Sequence, residues 1–163
     1  MLDYDLADVA LRMMAAMAAG MAIGLNRDLK SKPLGMRTLG LVALSSALVC
    51  IITSSLDIFT GHPDAMSRVV QGAVQGVLAG IGFLGAGVIL RDRGQGEVHN
   101  LTTAATVWIA AVLGIACAFA TWRIMLLSAV LAVVLLVLGG PLERWIVRKH
   151  AAMTDKCPSP PPD

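Results

Sequence analysis

Residues 69–90, VVQGAVQGVLAGIGFLGAGVIL, run for 22 positions without a formal charge. At 1.5 Å per residue such a run covers the roughly 30 Å of a bilayer core, so it has to be placed as a spanning helix. It also carries six glycines: Gly72, Gly76, Gly80, Gly82, Gly85 and Gly87. The first three are four apart and share one helix face, an arrangement that admits a neighbouring backbone at close range. Gln71 and Gln75 lie beside that face, and an amide in hydrocarbon is costly unless something bonds it. The segment therefore reads as the central helix of a membrane bundle, gripped on several sides.

The remainder of the chain supports the same class. Of 163 residues, 56% are hydrophobic and 15% charged, with a mean hydropathy of +0.74. That is too apolar for an ordinary soluble domain. Four further apolar runs are expected to span, at 6–25, 39–59, 101–120 and 124–142. The first carries Arg12, positioned to snorkel or to pair with Asp8 one turn earlier, and a second small-residue face at Gly20 and Gly24. The fifth is almost purely aliphatic and reads as a lipid-facing helix, with Pro141 at its end. The fold class is thus all-α, a polytopic bundle of five transmembrane helices occupying 1–150, followed by a tail at 151–163 ending in PSPPPD and expected to be disordered.

Charge distribution orients the bundle. Loop 26–38 holds four Lys and Arg, 91–100 holds two and the C-terminal segment four, ten of the thirteen in the chain. Arg12, Arg68 and Arg123 make up the rest, and five alternating spans put those three on the opposite side. The positive-inside rule then predicts the N-terminus outside and the C-terminus cytoplasmic.

No motif points to an enzyme. GIGFLGAG looks like a dinucleotide fingerprint, but it lies in a membrane-length apolar run without the strand–turn–helix setting that fingerprint needs. Cys50, Cys117 and Cys157 have neither metal nor disulfide spacing, so no metal site and no cofactor are expected. The polar residues of interest gather where helices one to four meet the basic side: Arg27 and Asp28, Arg37 and Thr38, Arg91, and Thr102 and Thr103. They read as a polar vestibule below the glycine-lined centre, with Asp28 paired to Arg37 or Arg91. Lys30, Lys32, Arg144, Arg148 and Lys149 read as ordinary flanking charges.

Three pieces of this chain, in order, resemble the membrane domain of the MgtC/SapB family of bacterial inner-membrane proteins. They are Gly20, Gly24, Leu25, Arg27, Asp28, Gly35, Arg37 and Thr38; then Gly80 to Gly87 with Ile89 and Arg91; then Leu101 to Ala105 with Trp108, Ala111 and Gly114. The chain departs at Asn26, where that family usually has Glu, and at Asn100, where it usually has Gly. The resemblance implies a multi-pass inner-membrane protein tied to magnesium limitation, acid stress or virulence. The reading of this chain is a regulatory or interaction protein, since Asp28 is the only acidic group at the end of helix one and divalent cations favour several carboxylates or carbonyls. The alternative is a transporter or channel for magnesium or another cation using the vestibule. Expected partners are membrane lipid, another inner-membrane protein such as the ATP synthase, or a second copy of the chain; no nucleic acid is expected.

Overall fold

The structure is a computed structural model that describes residues 5–56, 63–90, 100–119 and 122–154. Among the described residues there are five helices: α1 (Leu6–Asp28), α2 (Met36–Ser54), α3 (Pro63–Leu90), α4 (Leu101–Phe119) and α5 (Trp122–Thr154). Each contains a stretch long and apolar enough to cross a membrane. The tail beyond Thr154 lies outside the described residues.

Two boundaries differ from the sequence-based expectation. Helix α3 starts at Pro63, six residues before the apolar run. Proline suits a first helical position because the missing N–H would have no intrahelical acceptor there, and Asp64 in the first turn complements the helix dipole. Helix α5 does not end at Pro141 but runs through it to Thr154. The apolar part, Trp122–Pro141, is of spanning length, so the proline sits at its edge.

The centre of the bundle is α4, which packs against all four other helices, while α2 packs against α1, α3 and α4. Ile23, Leu39, Val42, Val107, Ala110, Ala111 and Leu113 form the main core, joined by Ile81 of α3. This corrects the placement of 69–90 at the centre. In α3 only Ile81 and Gly85 are buried, and Phe83 is 82% exposed. Side-chain hydroxyls in the spans are satisfied within their own helices: Ser46 Oγ donates to the Val42 carbonyl at 2.8 Å, and Thr53 Oγ1 to Val49 at 2.7 Å.

The glycines divide sharply. At Gly20 a Cβ would run into the Leu39 carbonyl, at Gly24 into the Met36 backbone, and at Gly114 into the Ala43 carbonyl. These three positions hold α1 and α4 directly against the backbone of α2. By contrast, a Cβ at Gly72, Gly76, Gly80, Gly82 or Gly87 would meet nothing within 4 Å, and one at Gly85 would meet only the Ala104 Cβ at 3.6 Å. The stripe on α3 faces outward in a single copy, as do Gln71 and Gln75. Regular spacing identifies a smooth face without telling whether a neighbour occupies it.

Gly20→Leu and Gly114→Leu should therefore each destabilise the fold by at least about 1–3 kcal/mol, the usual cost of overpacking, since backbone would have to move. Gly76→Leu and Gly80→Leu should leave the fold of one copy unchanged. Thermal aggregation of the four purified variants in detergent checks this. Equal losses at all four positions would mean that the α3 stripe is also packed.

Candidate functional site

The connector 29–35 folds back tightly, because the Arg27 carbonyl accepts from both Lys30 N and Lys32 N at 3.0 Å. Ser31 and Leu34 adopt φ of 50° and 62°, left-handed values that non-glycine residues seldom take. Such backbone persists only where surrounding structure holds it, and here the holding group is Arg27. Its Nε and one terminal nitrogen donate to the Pro33 carbonyl at 3.2 and 3.0 Å, and the same terminal nitrogen donates to Thr103 Oγ1 in the first turn of α4. Arg27 and Thr103 are each 2% exposed. One guanidinium thus ties the end of α1, the connector and the start of α4 together.

Asp28 takes a different role from the expected one. Its carboxylate accepts from the Met36 backbone N–H at 2.8 Å and lies against Gly35. It caps the N-terminus of α2 across the connector, where a negative charge also complements the helix dipole. It forms no ion pair with Arg37. Arg37 and Thr38 are exposed on α2, and Arg91 lies outside the described residues. Of the expected cluster the structure joins Arg27 to Thr103, gives Asp28 to α2, and turns Arg37 and Thr38 outward.

Thr102 lies on the other side of α4's first turn and lines a crevice of about 330 Å³ between α4 and α5. The rim carries Lys30 and Lys32, which the sequence presented as plain flanking charges. Lys30 Nζ and Asn26 Nδ2 both donate to the Leu136 carbonyl at 3.3 Å. No sequence pattern indicates that contact, because the acceptor is a main-chain oxygen on a helix 110 residues away. Asn100 stands at φ 67° just before α4. Asparagine and glycine both tolerate that region, which accounts for asparagine at a position where glycine would also serve.

The opposite end of the bundle has its own arginine. Arg12 Nε donates to Asp8 at 2.6 Å, and a terminal nitrogen donates to the Cys117 and Ala118 carbonyls at 3.2 Å. Its guanidinium also lies 5.8 Å from the Trp122 ring centroid. It is a clamp on the last turn of α4, where a cation is favoured, rather than a snorkelling side chain.

These features define a small polytopic membrane helix-bundle protein whose polar groups mostly tie helix ends together. The MgtC family profile matches residues 13–145. The chain is 42% identical to Protein SrpB of Synechococcus elongatus over 132 residues, covering 76% of this chain and 70% of that one. It is 32% identical to Protein SapB of Bacillus subtilis over 145 residues, 87% of this chain and 59% of that one. It is 39% identical to Protein MgtC of Salmonella typhimurium over 121 residues, 74% of this chain and 48% of that one. The chain belongs to the MgtC family, while spanning only about half to two thirds of the length of several of the relatives it matches. No solved structure matches it significantly.

Thr103→Val should cost about 1–3 kcal/mol, because it withdraws one acceptor from a buried guanidinium. Asp28→Ala should cost about 1 kcal/mol, the usual value of a lost N-cap, and Asp28→Asn less, since an amide oxygen can still accept. Thermal denaturation of the purified variants measures both. A Thr103→Val protein as stable as the parent would remove the Arg27 tie from the account of the fold.

Proposed function

We propose that this chain is a small, non-enzymatic regulatory or interaction protein of the bacterial inner membrane, serving adaptation to magnesium limitation or acid stress. In this reading the N-terminus lies outside and the C-terminus is cytoplasmic, as the ten-to-three split of Lys and Arg favours. The observation that carries the reading against cation transport is the buried Arg27. A fixed positive charge, with Lys30 and Lys32 close by and no carboxylate of the described residues within ion-pairing distance of any of them, raises an electrostatic barrier to cations at that end of the bundle. Divalent ions are held by several carboxylate or carbonyl oxygens converging on one point. Here the Pro33 and Leu136 carbonyls are already occupied by side-chain donors.

The test pairs two measurements. A deletion strain carrying this protein should regain growth at low magnesium. The purified protein in vesicles loaded with a magnesium-sensitive dye should pass no more Mg²⁺ than empty vesicles do. Protein-dependent flux under a magnesium gradient would overturn the regulatory reading in favour of transport.

A further inference from the structure

The crevice between α4 and α5 combines aliphatic walls with a polar end. Its walls are mostly aliphatic, from Ile109 on α4 and Ala132, Leu135 and Gly139 on α5, and Leu135 is 72% exposed. The rim is basic, with Lys30 and Lys32 from the connector, and Thr102 places a hydroxyl below them. At about 330 Å³ it is at the lower end of the roughly 300–1,000 Å³ usual for a site that buries a small organic ligand.

Neither Lys30 nor Lys32 forms an ion pair with the described residues. Arg27 is buried with carbonyl and hydroxyl partners, Lys30 rests on a carbonyl, and the Lys32 ammonium makes no hydrogen bond or ion pair with the described residues. The nearby Asp28 carboxylate is committed to the Met36 N–H. The N-terminus of α4 adds the positive end of its dipole to the same region. Two lysines and a helix N-terminus beside an apolar slot at the end of a membrane span form a surface complementary to a phosphate with a hydrocarbon chain attached. Basic pockets between spanning helices near a membrane face are where anionic lipid head groups are held.

We propose that this crevice is a binding site for one anionic phospholipid. Its phosphate sits between Lys30 and Lys32 above Thr102, and one acyl chain lies along Ile109, Ala132 and Gly139. The lipid supplies the negative charge that the connector and α4 lack, and so braces α5 against the rest of the bundle. Asn26 and Lys30 bridge that seam among the described residues, both through the Leu136 carbonyl.

The experiment is native mass spectrometry of the full chain released from detergent, titrated with phosphatidylglycerol or with phosphatidylcholine of identical acyl chains. Wild-type protein should retain one phosphatidylglycerol in preference to phosphatidylcholine. Lys32→Gln, which breaks no bond of the fold, should weaken phosphatidylglycerol retention about fivefold, and Lys30→Gln/Lys32→Gln should weaken it further, toward the phosphatidylcholine level. Gly139→Leu projects a side chain into the slot, where a Cβ would meet only Leu135 Cδ1 at 3.9 Å, and should lower phosphatidylglycerol retention without unfolding the protein. Millimolar inorganic phosphate should not displace the lipid. Equal retention of the two lipids by wild-type protein, unchanged phosphatidylglycerol retention in Lys32→Gln, or displacement by inorganic phosphate alone would each overturn the proposal. The wild-type comparison decides even where the double variant fails to fold.

Discussion

The close approach of α1 and α4 to the backbone of α2 is the contact on which the other contacts of this bundle depend. In a lipid environment there is no hydrophobic force between helices, because a lipid tail is as apolar as a leucine. Association has to come from dense van der Waals packing and from satisfied polar groups. Gly20, Gly24 and Gly114 provide the density by removing the side chains that would hold the three backbones apart. That proximity is also what lets α1 reach both ends of α4. Arg12 and Arg27 are 15 residues apart, about 22 Å along the helix, and one bonds the last-turn carbonyls of α4 while the other bonds Thr103 in its first turn. Packing and polar clamps are therefore a single device, since moving α1 outward would break both arginine contacts together.

This arrangement leaves α3 and α5 in a different condition. Each is applied to the outside of the three-helix core and presents long exposed aliphatic faces, as expected of helices that meet lipid. On α3 the outward face is the glycine stripe with Gln71 and Gln75 beside it. On α5 the inner face is incompletely filled, and the crevice against α4 is what remains. At the end of the bundle that holds the connector, Asn26 of α1 and Lys30 both donate to one carbonyl of α5, that of Leu136, five residues before Pro141; at the other end Arg12 lies over Trp122. Near the crevice, the side chains of the described residues seen to tie α5 to the rest of the bundle include Asn26 and Lys30, which is why occupancy of the crevice would matter to it.

The number of spans, their order and their approximate bounds were legible in the sequence, because a membrane imposes length and apolarity on each helix almost independently of its neighbours. The fit of Gly20 and Gly24 was legible for the same reason as the misfit of Gly72, Gly76 and Gly80. Small residues four apart mark a face on which close packing is allowed, and periodicity carries no information about which faces find a partner. The ends were less legible. Pro63 reads as a breaker until it is recognised as a first helical residue, and Pro141 reads as a stop until its helix is seen to continue. Within the polar cluster, residue type singled out Arg27 and Thr103, which are joined. Of the two pairings expected for Asp28, the one with Arg37 is not made, because a closer donor is available in the free N–H at the start of α2; Arg91 lies outside the described residues. Acceptors on the main chain, at Pro33 and Leu136, are invisible to any reading of side-chain types, and they decide where Arg27, Asn26 and Lys30 go.

The sign of the site depends on which of its charged groups are already committed elsewhere. A vestibule read from side chains alone offers both charges, Arg27 with Asp28 and Arg37, and so suits a cation as readily as an anion. Once Asp28 is assigned to the α2 cap and Arg37 to the exterior, the polar side chains of the described residues near the start of α4 include Asn26, Arg27, Lys30, Lys32, Asn100 and two threonines. Asn26 spends its amide on donating to a carbonyl, so it adds no negative charge where a glutamate would have done so. Among the described residues the cations at that end are Arg27, buried where low dielectric strengthens its charge, and the exposed Lys30 and Lys32. On the reading proposed here, those cations favour phosphate over magnesium. The magnesium-related role proposed for this chain is therefore better sought in how the protein engages its membrane or another protein than in an ion held by the bundle.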